Sequence, residues 1–145
     1  MNAPILAPAA VLVLWTIVML IGIMFTRFPA IAKSGMDMTN IAPGGRGQDL
    51  QGVLPDKVMW FSHNYTHLQE QPTLFYAIVA ILAIAGAGDG LNVKLAWAYV
   101  GLRIAHSLWQ VTVNTIIPVR FALFALSTIC LTVMAVNALR ATLGV

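Results

Sequence analysis

Charge is what this sequence has least of. Eight Lys or Arg and five Asp or Glu among 145 residues leave 9% charged against 59% hydrophobic, and the mean hydropathy is +0.84. A water-soluble domain carries about 25% charged residues, so a soluble globular surface is excluded. The wealth of apolar side chains excludes disorder on the same grounds. The basic residues are scattered, with no run that could track a phosphate backbone, so no nucleic-acid partner is expected. The single cysteine, Cys130, excludes an intrachain disulfide and reads as a small buried hydrophobe within an apolar run. No Lys or Arg precedes position 27. The uncharged run over 5–25 therefore lacks the basic start of a signal peptide and reads as a retained membrane helix.

The apolar residues that remain are arranged in long runs, and a membrane span needs about 20 of them. Four spans fit, over about 5–27, 57–86, 91–115 and 119–142, in one domain covering 1–145. Pro8 suits the first turn of the first span, where a missing N–H costs least. Residues 28–56 hold Pro29, Pro43, Pro55 and five glycines, and APGGRGQDLQG over 42–52 is turn chemistry. A long loop is expected there, with Asp56 capping the next helix and Pro72 as a kink within it. Gly86, Gly88, Asp89 and Gly90 mark a short turn, and Ile117–Pro118 marks another break. The fold class is all-α, an integral membrane four-helix bundle with antiparallel neighbours. Arg27, Lys33, Arg46, Lys57 and Arg120 gather on the side of the long loop, which the excess of Lys and Arg assigns to the cytoplasm, with both termini outside.

Ionisable side chains within a span are expensive and mark a site by default. His63, His67 and Glu70 on the second helix fall within about 60° of arc, flanked by Asn64 and Gln71. Tyr99, Arg103, His106, Ser107, Gln110 and Asn114 on the third fall within about 100°. Facing stripes make Glu70 and Arg103 natural charge partners. Any one of Ser107, Gln110 or Asn114 could serve only to join helices, but a Glu, an Arg and three His together exceed what packing needs. Two imidazoles and a carboxylate are also metal-ligand types, with His106 as a fourth donor, although His63-x3-His67 lacks the Glu of an HExxH motif. Cys130, Met134 and Asn137 share a face of the fourth helix that reads as a helix contact. Arg120 could snorkel to lipid phosphate or reach a bound anion.

The second helix opens N-x-x-H-L-Q-E-Q-P-T-L-F, and R-I-A-H-S-L-W-Q over 103–110 is followed by P-V-R-F over 118–121. These blocks, with four spans in 145 residues and a long first loop, resemble the MAPEG family, the membrane-associated proteins of eicosanoid and glutathione metabolism, in a bacterial-type member. The resemblance implies a homotrimer of four-helix protomers in the lipid bilayer, in the cytoplasmic (inner) membrane for a bacterial protein. It also implies glutathione as cosubstrate in a cleft between subunits. Carried over, Glu70 matches the family's second-helix glutamate, with His67 where an asparagine is expected, His63 where an arginine is expected, and Asn64 as a substitute amide. Arg103 matches a third-helix arginine, His106 joins the polar stripe beside it, and Gln110 falls near a position that some members fill with tyrosine. Arg120 resembles the fourth-helix arginine that faces the glutathione sulfur, and is the expected catalytic residue. Against the family's pattern, the departure at His63 implies the loss of one carboxylate clamp, and that at Gln110 the loss of one thiol hydrogen-bond donor.

The first functional reading is an enzyme, a thiol (glutathione) transferase or peroxidase acting on a small lipophilic substrate, with a nearby arginine lowering the thiol pKa. A second is a non-catalytic lipid-binding or accessory membrane subunit that keeps the cleft. The third is the His/Glu metal site.

Overall fold

The computed structural model of the chain describes residues 3–41 and 43–145. Among the described residues it forms four α-helices, α1 (Leu6–Ser34), α2 (Asp56–Ile84), α3 (Gly90–Thr112) and α4 (Ile117–Leu143), and no strands. α1 and α4 are long and apolar enough to cross a membrane. α2 and α3, expected as spans as well, carry the polar stripes and are less apolar.

Threonine is common in these helices and would leave a bare hydroxyl in an apolar surround. The structure turns each hydroxyl back on its own helix. Thr16 donates to the Leu12 carbonyl (2.9 Å), Thr26 to Gly22 (2.8 Å), Thr66 to Ser62 (3.1 Å) and Thr132 to Thr128 (2.8 Å). Such back-bonding satisfies the group without a partner helix.

Helix ends depart from the sequence reading in several places, and α2 stops at Ile84 rather than about 86. α1 runs to Ser34 rather than about 27, straight through Pro29. The expected end lay where the apolar run stops, but polarity does not end a helix. Gly35, in the left-handed conformation at φ 69°, does so. Asp56 does not cap α2. It is the first helical residue, after Pro55, and its charge lies at the positive end of the helix dipole. α3 ends at Thr112 rather than about 115, so Asn114 lies beyond it. α4 begins at Ile117 because Pro118 is at home in a first turn.

The segment between α1 and α2 is ordered by local chemistry. Asp37 caps a 3-10 turn over Met38–Asn40, and the Arg46 N–H donates to Asp49 (2.7 Å) at the start of a second over Gly47–Leu50. Leu54 then packs with Ile31 and Met59 in a small apolar cluster of its own.

The helices pack as two hairpins, α1 on α2 and α3 on α4, with α2 and α3 in the middle. Among the described residues α1 and α4 do not touch. The main core joins Leu12 and Met19, Leu68, Phe75 and Val79, Tyr99 and Val100, and Leu131 and Met134 from the four helices. Its centre is the Phe75–Tyr99 stack, with rings 4.4 Å apart. This apolar core occupies the half of the bundle away from the 35–55 segment. The polar stripes lie in the other half.

Candidate functional site

The buried face of α3 is the polar stripe itself, comprising Tyr99, Arg103, His106, Ser107 and Gln110. A helix in an apolar surround turns its hydrogen-bonding groups inward, because lipid offers them nothing. Ser107 is the meeting point, accepting from Trp15 Nε1 of α1 (2.9 Å) and Asn64 Nδ2 of α2 (2.7 Å). About two turns toward the core, Gln71 accepts from the Tyr99 hydroxyl (3.3 Å) and donates to Thr128 of α4 (2.8 Å). These contacts tie all four helices together through polar side chains. At the far end Asn137 donates to Asn92 (2.7 Å), while Met134 and Cys130 pack into the core. That face of α4 is a helix contact, as its composition suggested.

Arg103 is buried, and its guanidinium is held by backbone. Its Nη2 donates to the His67 carbonyl at 2.9 Å. The expected Glu70–Arg103 ion pair is not formed. Glu70 instead pairs with His67 Nδ1 on its own helix at 3.1 Å, and its side chain is 61% exposed. The i, i+3 spacing brings carboxylate and imidazole together on the outside of α2, while Arg103 points to the inside.

Arg120 stands at the first turn of α4. Its Nη1 donates to Asn114 Oδ1 at 2.9 Å. Asn114 belongs to the 113–116 turn and has a left-handed backbone, φ 47°, a conformation that asparagine tolerates better than most residues. The sequence reading placed Asn114 on the α3 stripe. The structure makes it the tether that aims Arg120.

His67, His106 and Arg120 line one cavity of about 180 Å³, walled by Ile117, Phe121 and Phe124. The two imidazoles stand edge to face with ring centres 6.1 Å apart. Three elements thus bring two imidazoles and a guanidinium to a single mouth. Phe121 and Ile117, both well exposed, form its outer rim. Among the residues expected at the site, Asn64 and Gln110 are buried inside the bundle. His63 is half-buried one turn from His67, and Glu70 lies on the outside. The apolar wall of Ile117, Phe121 and Phe124 escaped the sequence reading because aromatic residues on an apolar helix carry no distinguishing signal.

Among the described residues, no three of His, Cys, Asp and Glu lie close enough together to hold a metal ion. The imidazoles that could serve as donors are spread along α2 and across to α3.

A family model, that of the MAPEG family, matches residues 5–140. The chain belongs to the MAPEG family. No curated protein and no solved structure matches it. The MAPEG match covers α1 to α3, α4 as far as Arg140, and every residue of the cavity. The family comprises membrane-associated proteins and includes glutathione transferases and peroxidases.

Proposed function

We propose that this MAPEG protein is a membrane-embedded glutathione transferase or peroxidase for small lipophilic substrates, with Arg120 stabilising the thiolate. The observation that carries this reading is the cavity shared by Arg120, His67 and His106, with the guanidinium aimed by Asn114. A free thiol near pKa 8.5 is largely protonated at neutral pH, and a neighbouring guanidinium favours the thiolate. Glutathione is an anion, and the arginines here suit one. Arg103 also keeps a buried Nε without a hydrogen-bond partner among the described residues. In the transferase step the thiol proton leaves to water, and the thiolate sulfur bonds to the electrophilic carbon as the leaving group departs. The aromatic and aliphatic rim of Phe121, Phe124 and Ile117 gives an apolar substrate a route in from the bilayer.

The size of the cavity bears on assembly. Small-molecule sites occupy about 300–1,000 Å³, and this one holds about 180 Å³ within a single chain. One protomer does not enclose a tripeptide, so the rest of the cleft comes from a neighbouring copy in a homotrimer. The exposed Glu70 and Gln69, awkward in lipid, belong to the covered surface. All four helices span the membrane, and the end bearing Arg27, Lys33, Arg46, Lys57 and Arg120 faces the cytoplasm.

The test is the ultraviolet absorbance of bound thiolate on adding glutathione, titrated against pH. Wild-type protein should show thiolate below the pH at which free glutathione ionises. Arg120→Ala should lose it while keeping the same oligomer, and Arg120→Lys should recover part, since a point charge still favours the thiolate but lacks the planar fork. Absence of thiolate from the wild type at every accessible pH would overturn the transferase reading in favour of an accessory, lipid-binding subunit.

A further inference from the structure

Arg27, near the end of α1, is a cation that no carboxylate answers among the described residues. Its Nη2 donates to the Ser62 hydroxyl of α2, and its Nε is buried without a hydrogen-bond partner among those residues. Its guanidinium lies against Gly47, where a Cβ would come within 2.5 Å of Nη1. A side chain at that position would have to push the end of the Arg27 side chain aside. The 35–55 segment is thereby folded over the end of α1, and beneath it lies a pocket of about 440 Å³.

The pocket has two kinds of wall. Phe28, Ile31, Leu50 and Val53 supply an apolar bed, and Arg27 and Arg46 supply two guanidinium groups. Asp49 also lines it, but its carboxylate already accepts from the Arg46 backbone N–H at 2.7 Å. The volume falls within the range of small-molecule sites, about 300–1,000 Å³. α1 is long and apolar enough to cross the bilayer, and Arg27 lies in its last third. At that depth two arginines beside an apolar channel meet headgroups rather than hydrocarbon.

We propose that this pocket holds one anionic phospholipid. Arg27 and Arg46 take the phosphate, for which a guanidinium fork is suited, and the acyl chain lies along Phe28, Ile31 and Val53. The site is separate from the His67–Arg120 cavity and does not depend on glutathione. Its occupant would pin the 35–55 segment to the bundle, because the lipid bridges that segment to α1.

The experiment reconstitutes the full-length protein in nanodiscs of equal phosphatidylglycerol and phosphatidylcholine with matched chains, and counts retained lipids by native mass spectrometry. Wild type should retain phosphatidylglycerol over phosphatidylcholine by about tenfold, because phosphatidylcholine offers the same phosphate but sets its choline cation against the two guanidinium groups. Arg46→Gln removes a headgroup contact on the exposed segment, and Val53→Trp fills the pocket while leaving both charges. Each should abolish the preference, and Arg27→Lys should keep part of it. Equal retention of the two lipids by the wild type overturns the proposal, as does a preference that survives Val53→Trp. Displacement of phosphatidylglycerol by excess soluble glycerol phosphate would show a site for the phosphate group alone, and would also overturn it.

Discussion

Arg120 and Asn114 are six residues apart and work as a pair across the turn before α4. The amide of Asn114 fixes one guanidinium nitrogen at 2.9 Å, and its left-handed backbone is what puts that amide in reach. The two roles can be separated by substitution. Asn114→Gly keeps the backbone conformation and loses only the amide, so the pH of thiolate formation should rise, though by less than with Arg120→Ala. Asn114→Ala loses the amide and also strains the backbone, because a Cβ with no local hydrogen bond disfavours φ > 0. It should lower the midpoint of thermal unfolding where the glycine variant does not. Equal thiolate titrations for wild type and Asn114→Gly would show that Arg120 needs no tether. Arg103 is a different case. It serves the His67 carbonyl, so Arg103→Gln should cost about 1.5–3 kcal/mol, the worth of a hydrogen bond to a charged group, read from unfolding in detergent. Glu70→Gln breaks only a partly exposed pair and should cost the isolated protomer about 0–1 kcal/mol.

Among the elements, α1 meets α2 at Gly22, against the Phe61 ring. A Cβ there would lie 3.0 Å from the Phe61 ring, so this glycine is a packing residue rather than a point of flexibility. Gly22→Leu should overpack the contact by about 1–3 kcal/mol. Phe61→Leu in the same chain should recover much of that loss, whereas strict additivity of the two changes would show that the helices do not meet there. The 35–55 segment makes its own prediction about pH. The Asp37 carboxyl accepts from the Thr39 hydroxyl (2.6 Å), the Thr39 N–H (3.0 Å) and Asn40 (2.8 Å). The Thr39 hydroxyl is the main cause holding it below the usual carboxylate range, with the Thr39 N–H next. A depressed folded pKa contributes order above the ordinary carboxylate value and loses it as pH falls through the lowered one. Protease protection of the segment should therefore hold from neutral pH into the mildly acid range and fall only below the ordinary value of 3.8. Asp37→Asn should remove that acid-side dependence.

The whole molecule inverts the arrangement of a soluble bundle. Large apolar side chains such as Phe25, Phe28, Ile84, Phe121 and Ile129 face outward, while Asn64, Arg103, His106 and Gln110 are inside. Lipid accepts the first set and cannot satisfy the second. Glu70 and Gln69 are exposed on α2, against that rule. The proposed trimer accounts for them by covering α2 with a neighbour. Light scattering with detergent subtraction should give three chains per particle. A bulky substitution on the same face, Gln69→Trp, should shift that mass toward one chain and lose thiolate binding with it. A monomeric wild type that still forms thiolate would place the complete site within one chain.

The sequence by itself determined the class of environment, the four helices and the inward direction of the α3 stripe. All three follow from how apolar and polar residues repeat at the helical period, which is local information. It also carried the blocks around Glu70, Arg103 and Arg120 on which the resemblance to the MAPEG family was read, and the family's model matches residues 5–140. Helix ends were less legible, because Gly35 and Asn114 end their helices through backbone conformation while the change of polarity at Arg27 marks nothing. Partner choice was not legible in the stripes. Arc arithmetic places Glu70 and Arg103 on facing stripes, yet a helix lets Glu70 reach His67 three residues back at no cost in chain entropy, and Arg103, on the inside, takes the His67 carbonyl instead. The meeting of His67, His106 and Arg120, and the fold of the 35–55 segment onto Arg27, depend on distances between segments remote in the chain. Those distances are set by how the helices pack, which no local pattern encodes.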